Sequence, residues 1–362
     1  MPYRLYVFGS NGEGQLGIEA AEIVSIPTIA HSWPPNKDIK VVCGGDNHTL
    51  ILSSDGSVHY AGNAEKNQFG STKAGCTKYE GFEVSHRTDV IHCAATCESS
   101  SYICGAFESD HEKPTILIEG TGHWGETGSV VAGFRPKEPI KHPLPHSVVD
   151  FAAGGWHYVG ILSDGSVIGW GKSRLDQLGT KFAAQQRITV PTLIQEDIAF
   201  KPVKVVCGKE FTYLASDPSS SEHCLLGRDK FGLRSSMPGH IKGWKQIGAT
   251  WNSIFVLFGD GSLTAWGKGN MWKLLPDNLP LIERIAVGSE HILALTRERK
   301  LISWGWGKHG NCGDLTKLGD KVKNDMVSGF WNEIDIPGTI KHIAAGYCTS
   351  FVLTEVSEQK RA

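Results

Sequence analysis

Seven times along this chain an alternating stretch of residues closes on an X-Gly pair: Phe8-Gly9, Ala61-Gly62, Glu119-Gly120, Trp170-Gly171, Leu226-Gly227, Trp266-Gly267 and Trp304-Gly305. Seven turns open what reads as the innermost strand of a repeat, near Gly45, Ala95, Gly154, Gly208, Thr250, Gly288 and Gly346. The step is about 50 residues, the range of repeat architectures. The two series are out of phase by one: the chain begins with the second strand of a repeat and ends with the first. A closed ring has that property. The N-terminal strand Leu5–Gly9 is expected to pair with Phe351–Thr354 and complete the last repeat. Closure removes the exposed edges that an open stack of sheets would carry.

Three copies show the repeat clearly. Residues 42–62 read VCGGDNHTLILSSDGSVHYAG, residues 151–171 FAAGGWHYVGILSDGSVIGWG, and residues 247–267 IGATWNSIFVLFGDGSLTAWG. Each has Asp-Gly between two apolar runs, the strongest short-range hairpin signal, and predicts a type I′ turn with positive φ. Weaker copies lie at 206–227, 286–305 and 344–356, and a degenerate one at 93–120. Length alone suggests two or three domains. The 43 Gly and 11 Trp spread along the whole chain favour one domain over residues 1–362 instead.

Composition narrows the function. There are 36 Lys+Arg against 38 Asp+Glu, a formal charge of −2, which argues against a protein that coats nucleic acid or an anionic membrane. With 40% hydrophobic and 20% charged residues the chain reads as globular. No apolar run approaches the ~20 residues of a membrane span, and no secretory leader is visible. The expectation is a cytoplasmic or nuclear protein, monomeric on its own. Its nine Cys are then expected to be reduced.

A second signature follows several strand endings: SNGEGQLG at 10–17, NAEKNQFG at 63–70, TGHWGETG at 121–128, KSRLDQLG at 172–179 and GKHGNCGD at 307–314. Together, the Gly-x-x-His turn, Asp-Gly-x-Val, Trp-Gly and Gly-Gln-Leu-Gly motifs resemble the regulator of chromosome condensation family. That resemblance covers essentially the whole chain. It implies an all-β, seven-bladed β-propeller closed by pairing of N- and C-terminal strands. Within the family, the compact form and the degenerate second and fourth copies resemble the fungal alpha-tubulin suppressor branch, associated with Elongator and diphthamide synthesis. The branch implies a partner: the small zinc-binding CSL-type protein of diphthamide synthesis and wobble-uridine modification of tRNA. Any metal would belong to that partner.

Most conspicuous side chains have a structural explanation. The in-register glycines are turn and bulge positions, with no helix following that could hold a phosphate. Trp170, Trp266 and Trp304 are expected to pack between blades, Cys43 and Cys207 to be small core residues, and His48, His157 and His291 to bond backbone. His309 with Cys312, and His92 with Cys93 and Cys97, lack the paired spacing of a structural zinc site. No catalytic, cofactor-binding or metal-ligating set stands out.

Strand direction places the Gly-x-x-His turns and the loops after Trp-Gly on one face, opposite the Asp-Gly turns. Five Trp fall on that face: Trp124, Trp156, Trp251, Trp272 and Trp306. The charges among them are mixed, including Asp46, Glu126, Lys209 and Glu290, with Lys172, Arg174 and Glu210 in the rim. Several Trp within mixed charge read as a protein-binding face, not a phosphate track. Three functions compete: a non-catalytic adaptor, a guanine-nucleotide exchange factor for a Ran-type GTPase, and a tubulin- or chromatin-associated scaffold. Exchange factors of the family present an acidic set on this face. Here Trp156 and Phe211 stand at comparable positions, which favours the adaptor.

Overall fold

Each repeat folds into a small twisted antiparallel sheet, because a few short alternating segments joined by tight turns can bury one another only edge to edge. The computed structural model describes residues 2–70, 76–87, 89–105 and 113–356. These contain seven sheets arranged as the blades of a β-propeller. Blade 1 runs Val41–Gly44, His48–Leu52, Val58–Asn63, Lys78–Val84 from the axis outward. Blade 2 repeats the pattern from Val90 to Pro143, blade 3 from Val148 to Leu193 and blade 6 from Ile282 to Ile334. Blades 4 (Lys204–Leu226) and 5 (Trp244–Gly267) have three strands each.

The strand after each Gly-x-x-His turn is therefore the second of its blade, not the innermost. A shorter strand precedes it and lines the channel: VVCG at 41–44 and KVVC at 204–207 are two examples. Three apolar residues before a glycine carry too little periodicity to read as a strand. Because the extra strand adds one reversal inside the turn, the assignment of loops to faces is unchanged.

Closure occurs as the phase of the repeats requires. Tyr3–Asn11 pairs antiparallel with Thr349–Glu355 over seven partners, from Tyr3 with Glu355 to Gly9 with Thr349. Thr339–Ala345 forms the inside of this seventh blade and Ala21–Ile29 its outside. The Asp-Gly turns differ from expectation. In all three, glycine alone takes the positive φ (Gly56 82°, Gly165 92°, Gly261 90°) and its N–H closes an i→i+3 bond. Asp55, Asp164 and Asp260 keep ordinary backbone and accept the N–H and hydroxyl of the serine two residues on. These are three-residue loops with a glycine bulge, which also suit the strand twist.

Blades lock together by recurring contacts. Trp170, Trp266 and Trp304 are buried, and each indole N–H donates to a carbonyl of the preceding blade's outer loop: Glu126, Leu233 and Leu274. His157 Nε2 lies 3.1 Å from Thr212 Oγ1 in the next blade, and that hydroxyl donates to Gln177 O. The hydroxyl proton is thus committed, so His157 is the donor. The same reasoning holds for His291, Ser350 and Asn311 O. These histidines bond a neighbouring hydroxyl, His157 with a backbone bond at Phe211 as well, and burial pushes both down to about 3.

Blade 2 lacks the strand-end Trp. Glu119 stands there, 1% exposed, paired with buried Arg87, whose guanidinium sits over the Tyr102 ring. Burial raises the Glu119 carboxyl to about 7 against the pull of Arg87. Where blades 4 and 5 lack outer strands, loops cover the edge. Arg234 donates to the free carbonyls of Leu225 and Gly227, and Trp272 with Leu274 packs on blade 5. The segments at 129–147 and 313–339 contribute outer strands, Ile140–Pro143 and Met326–Ile334.

Two outcomes are expected. Removing residues 1–9 opens the seventh blade and lowers the melting temperature by many degrees, and Leu5→Ala, at a site 1% exposed, costs about 2–5 kcal/mol in chemical denaturation. Unchanged unfolding in either variant contradicts closure. For the buried pair, Arg87→Met strands the carboxylate and costs about 3–5 kcal/mol. Arg87→Met/Glu119→Leu recovers most of that loss in the same assay. A double variant no more stable than Arg87→Met means the pair does not act as a unit.

Candidate functional site

The face bearing the Gly-x-x-His turns is organised by backbone before any side chain is considered. The residue two before the repeat His donates its N–H to the next blade's turn, at six successive junctions. The bonds are Asp46 to Cys97 O (3.1 Å), Cys97 to Gly155 O (3.0 Å), Gly155 to Lys209 O (3.3 Å), Lys209 to Trp251 O (3.0 Å), Trp251 to Ser289 O (2.8 Å) and Ser289 to Gly346 O (3.2 Å). Between blades 7 and 1 the chains touch instead. A Cβ on Gly44 would lie 2.8 Å from Tyr347 N and 2.9 Å from Gly346 Cα. This belt rims the central channel, about 270 Å³, lined by the inner strands of all seven blades.

On the belt stands an alternating ladder of cations and indoles across blades 2 to 5. Arg187 and Arg174 lie over Trp124, their guanidinium carbons 5.7 and 4.5 Å from the ring centre. Lys172 Nζ sits between Trp124 (5.2 Å) and Trp156 (4.9 Å). Lys209 Nζ sits between Trp156 (5.6 Å) and Trp251 (4.4 Å). Trp251 then meets Tyr347 edge-on at 5.5 Å. Each contact is worth roughly 0.5–1 kcal/mol at a partly wet site. Lys172 is 3% exposed and its ammonium is 2.6 Å from Glu210. Burial works to raise the Glu210 carboxyl, but Lys172 outweighs it and holds Glu210 below the usual range.

The structure sorts the expected site residues. Trp124, Trp156, Trp251 and Lys209 are half-buried and joined in the ladder. Asp46 is exposed on the channel rim and Glu290 is half-buried there. Trp306 is half-buried but apart from the ladder; it meets His309 at 5.1 Å beside a pocket with Met271 and Lys323. Two expectations are corrected. Trp272 is core, 6% exposed and stacked on Phe255, because its loop must replace a missing outer strand. Glu126 is 1% exposed and occupies the Gln position of the Gly-Gln-Leu-Gly signature. Its carboxylate accepts the N–H groups of His123 and Trp124, as Gln15 and Gln177 accept those of Glu13 and Leu175. The alignment of those signatures already held that signal. Arg187, Arg228 and Lys230 come from outer strands and loops, and no repeat position announces them.

Among the described residues no group of three His, Cys, Asp or Glu could hold a metal ion. His92 bonds Val148 O at 3.1 Å, and burial pushes the Cys312 thiol up. Cys43 and Cys93 form a thiol contact of 3.7 Å on the channel wall. No helix among the described residues is long and apolar enough to cross a membrane.

Comparison with known proteins agrees with this architecture. The regulator of chromosome condensation (RCC1) repeat pattern matches residues 4–52 and 164–215, and a second RCC1 pattern matches 148–177 and 282–311. An RCC1 repeat-containing protein of Schizosaccharomyces pombe is 25% identical, over 97% of this chain and 99% of its own. A secretion-regulating guanine nucleotide exchange factor of Mus musculus is 28% identical, over 86% of this chain and 76% of its own. Among solved structures, Prp20p of Saccharomyces cerevisiae, characterised for binding to Gsp1p and histones, superposes with a TM-score of 0.76 at 17% identity. That superposition covers 99% of this chain and 93% of Prp20p, and it speaks for the fold.

Proposed function

We propose that this chain, which carries RCC1 repeats on a seven-bladed propeller, is a protein-binding regulator with no chemistry of its own. Its proposed partner is the small zinc-binding CSL-type protein of diphthamide synthesis and Elongator-dependent tRNA wobble-uridine modification. The observation that carries the binding reading is the Trp124–Lys172–Trp156–Lys209–Trp251 ladder, half-open at the channel mouth and backed by a rigid backbone belt. Aromatic side chains next to cations on a fixed surface are what interface hot spots are made of. The choice of partner rests on the likeness to the alpha-tubulin suppressor branch. In this reading the propeller acts in the cytoplasm, with a nuclear pool, and covers or presents a metal site owned by the partner. It has no nucleic-acid or membrane substrate.

A second reading, exchange on a Ran-type GTPase, is favoured by the likeness to the mouse exchange factor. Against it stands the loss of Glu126 from the exposed acids and the cationic character of the ladder.

The test is calorimetric titration of the purified zinc protein with wild type and Trp156→Ala/Trp251→Ala, each first shown to be folded by circular dichroism. Truncating one interface Trp typically costs ~2 kcal/mol, about thirtyfold in affinity. Strong binding by wild type and a loss of at least that size in the double variant are expected, with Ser166→Glu on the opposite face unaffected. Equal binding by the double variant moves the interface elsewhere. Absence of binding by wild type, with accelerated nucleotide release from a Ran-type GTPase, replaces this reading by the second.

A further inference from the structure

Within the ladder itself, most of the carboxylates are already engaged, whereas several of the cations are not. Glu210 is taken by Lys172 at 2.6 Å. Asp176 faces Arg228 at 3.8 Å. Asp229 Oδ1 accepts the N–H groups of Arg234 and Ser235. Among the described residues no carboxylate lies within ion-pair distance of Lys209, Arg174 or Arg187. Lys230 has only Glu210 at 3.7 Å, which already holds Lys172 more closely. Three cations are thus held over indole rings with no carboxylate in ion-pair contact, and a fourth is loosely paired.

Beside them opens a pocket of about 320 Å³. Phe211, Leu233 and Trp251 give it apolar surface, and Arg228 and Lys230 line it together with Glu210, which is bound to Lys172, and Asp229, which holds backbone N–H groups. Phe211 and Leu233 are each 2% exposed, so that apolar surface is firm, with room for one bulky side chain.

We propose that this face receives an extended acidic segment of its protein partner, with carboxylates on Lys209, Arg174 and Lys230 and one large apolar side chain in the adjoining pocket. The proposal rests on the reading that the ladder is a protein-binding face, and names the chemistry it selects. Charge complementarity is the argument: ammonium and guanidinium groups already desolvated on one side by indole lose little further hydration when a carboxylate arrives. A single-stranded nucleic acid fits less well. Stacking needs bare aromatic faces, whereas Trp124 and Trp156 are already covered by Arg174, Lys172 and Lys209.

The test uses the full chain in fluorescence anisotropy with three labelled probes of equal length: an alternating Glu/Leu peptide, its Lys/Leu counterpart and an oligouridylate. Wild type is expected to bind the Glu/Leu peptide best, and less tightly as salt rises. Lys209→Glu and Arg174→Glu are each expected to weaken that binding at least tenfold, with Lys209→Gln in between. Unaltered binding by Lys209→Glu/Arg174→Glu overturns the proposal, as does tighter binding of the Lys/Leu peptide or the oligouridylate. The same charge reversals separate this proposal from the one above. If they leave capture of the zinc protein intact while Trp156→Ala/Trp251→Ala abolishes it, the acidic-segment proposal alone fails. If the Glu/Leu peptide behaves as expected and the zinc protein does not bind, the partner assignment alone fails.

Discussion

One backbone hydrogen bond, passed from each blade's turn to the next around the channel mouth, is what the rest of the molecule depends on. Blades of a propeller touch mainly through apolar faces, and the hydrophobic effect has no direction. It would tolerate neighbouring sheets sliding or rotating against each other. The bonds from Asp46 through Ser289 remove that freedom at six junctions, because each ties one turn to the carbonyl of its neighbour. At the seventh junction, Gly44 and Gly346 come too close for a Cβ, and the strand exchange of Tyr3–Asn11 with Thr349–Glu355 makes the ring continuous just behind them. A net value of about 0.5–1.5 kcal/mol per bond is modest. Their placement at one repeated position is what fixes the blade angle.

The belt also explains how a binding face can sit on a structural ring. Lys209 and Trp251 are themselves belt residues, and Trp156 follows Gly155. Their main chains are committed to holding the ring and their side chains are left over. Substituting the side chain therefore changes the surface and spares the bond. Preorganisation follows from the same arrangement: cations sandwiched between indoles lose little freedom when a partner docks.

The sequence was most legible where repetition fixes geometry. The phase of the X-Gly endings implies the closure by Leu5–Gly9 on the last strand; the register, Leu5 opposite Leu353 and Gly9 opposite Thr349, comes from the structure. Trp170, Trp266 and Trp304, at equivalent strand ends, pack between blades as their repeat position implies. The innermost strands are hidden because they are short and run straight into the turn, as in Val41–Gly44, where three apolar residues before the glycine have no period to detect. The turn type was missed because Asp-Gly serves both the two-residue hairpin and the bulged three-residue loop, and here the aspartate bonds a serine two residues on. At the site, the ladder's indoles were legible on the turns, and Trp272 misled because the absence of an outer strand in blade 5 cannot be seen in one loop. The pairing of Glu210 with Lys172, which leaves Lys209 and Arg174 without a carboxylate in contact, depends on two turns in adjacent blades meeting and has no sequence signature.

Hydrogen exchange of individual amides tests the belt most directly. The N–H groups of Asp46, Cys97, Gly155, Lys209, Trp251 and Ser289 lie in turns on an outer face, where unbonded amides exchange quickly. The account predicts that all six are protected to nearly the same degree as the core strand amides of Tyr158 and Leu293, and that Trp156→Ala leaves their protection unchanged. Fast exchange at these six positions, with the core strands still protected, would contradict it.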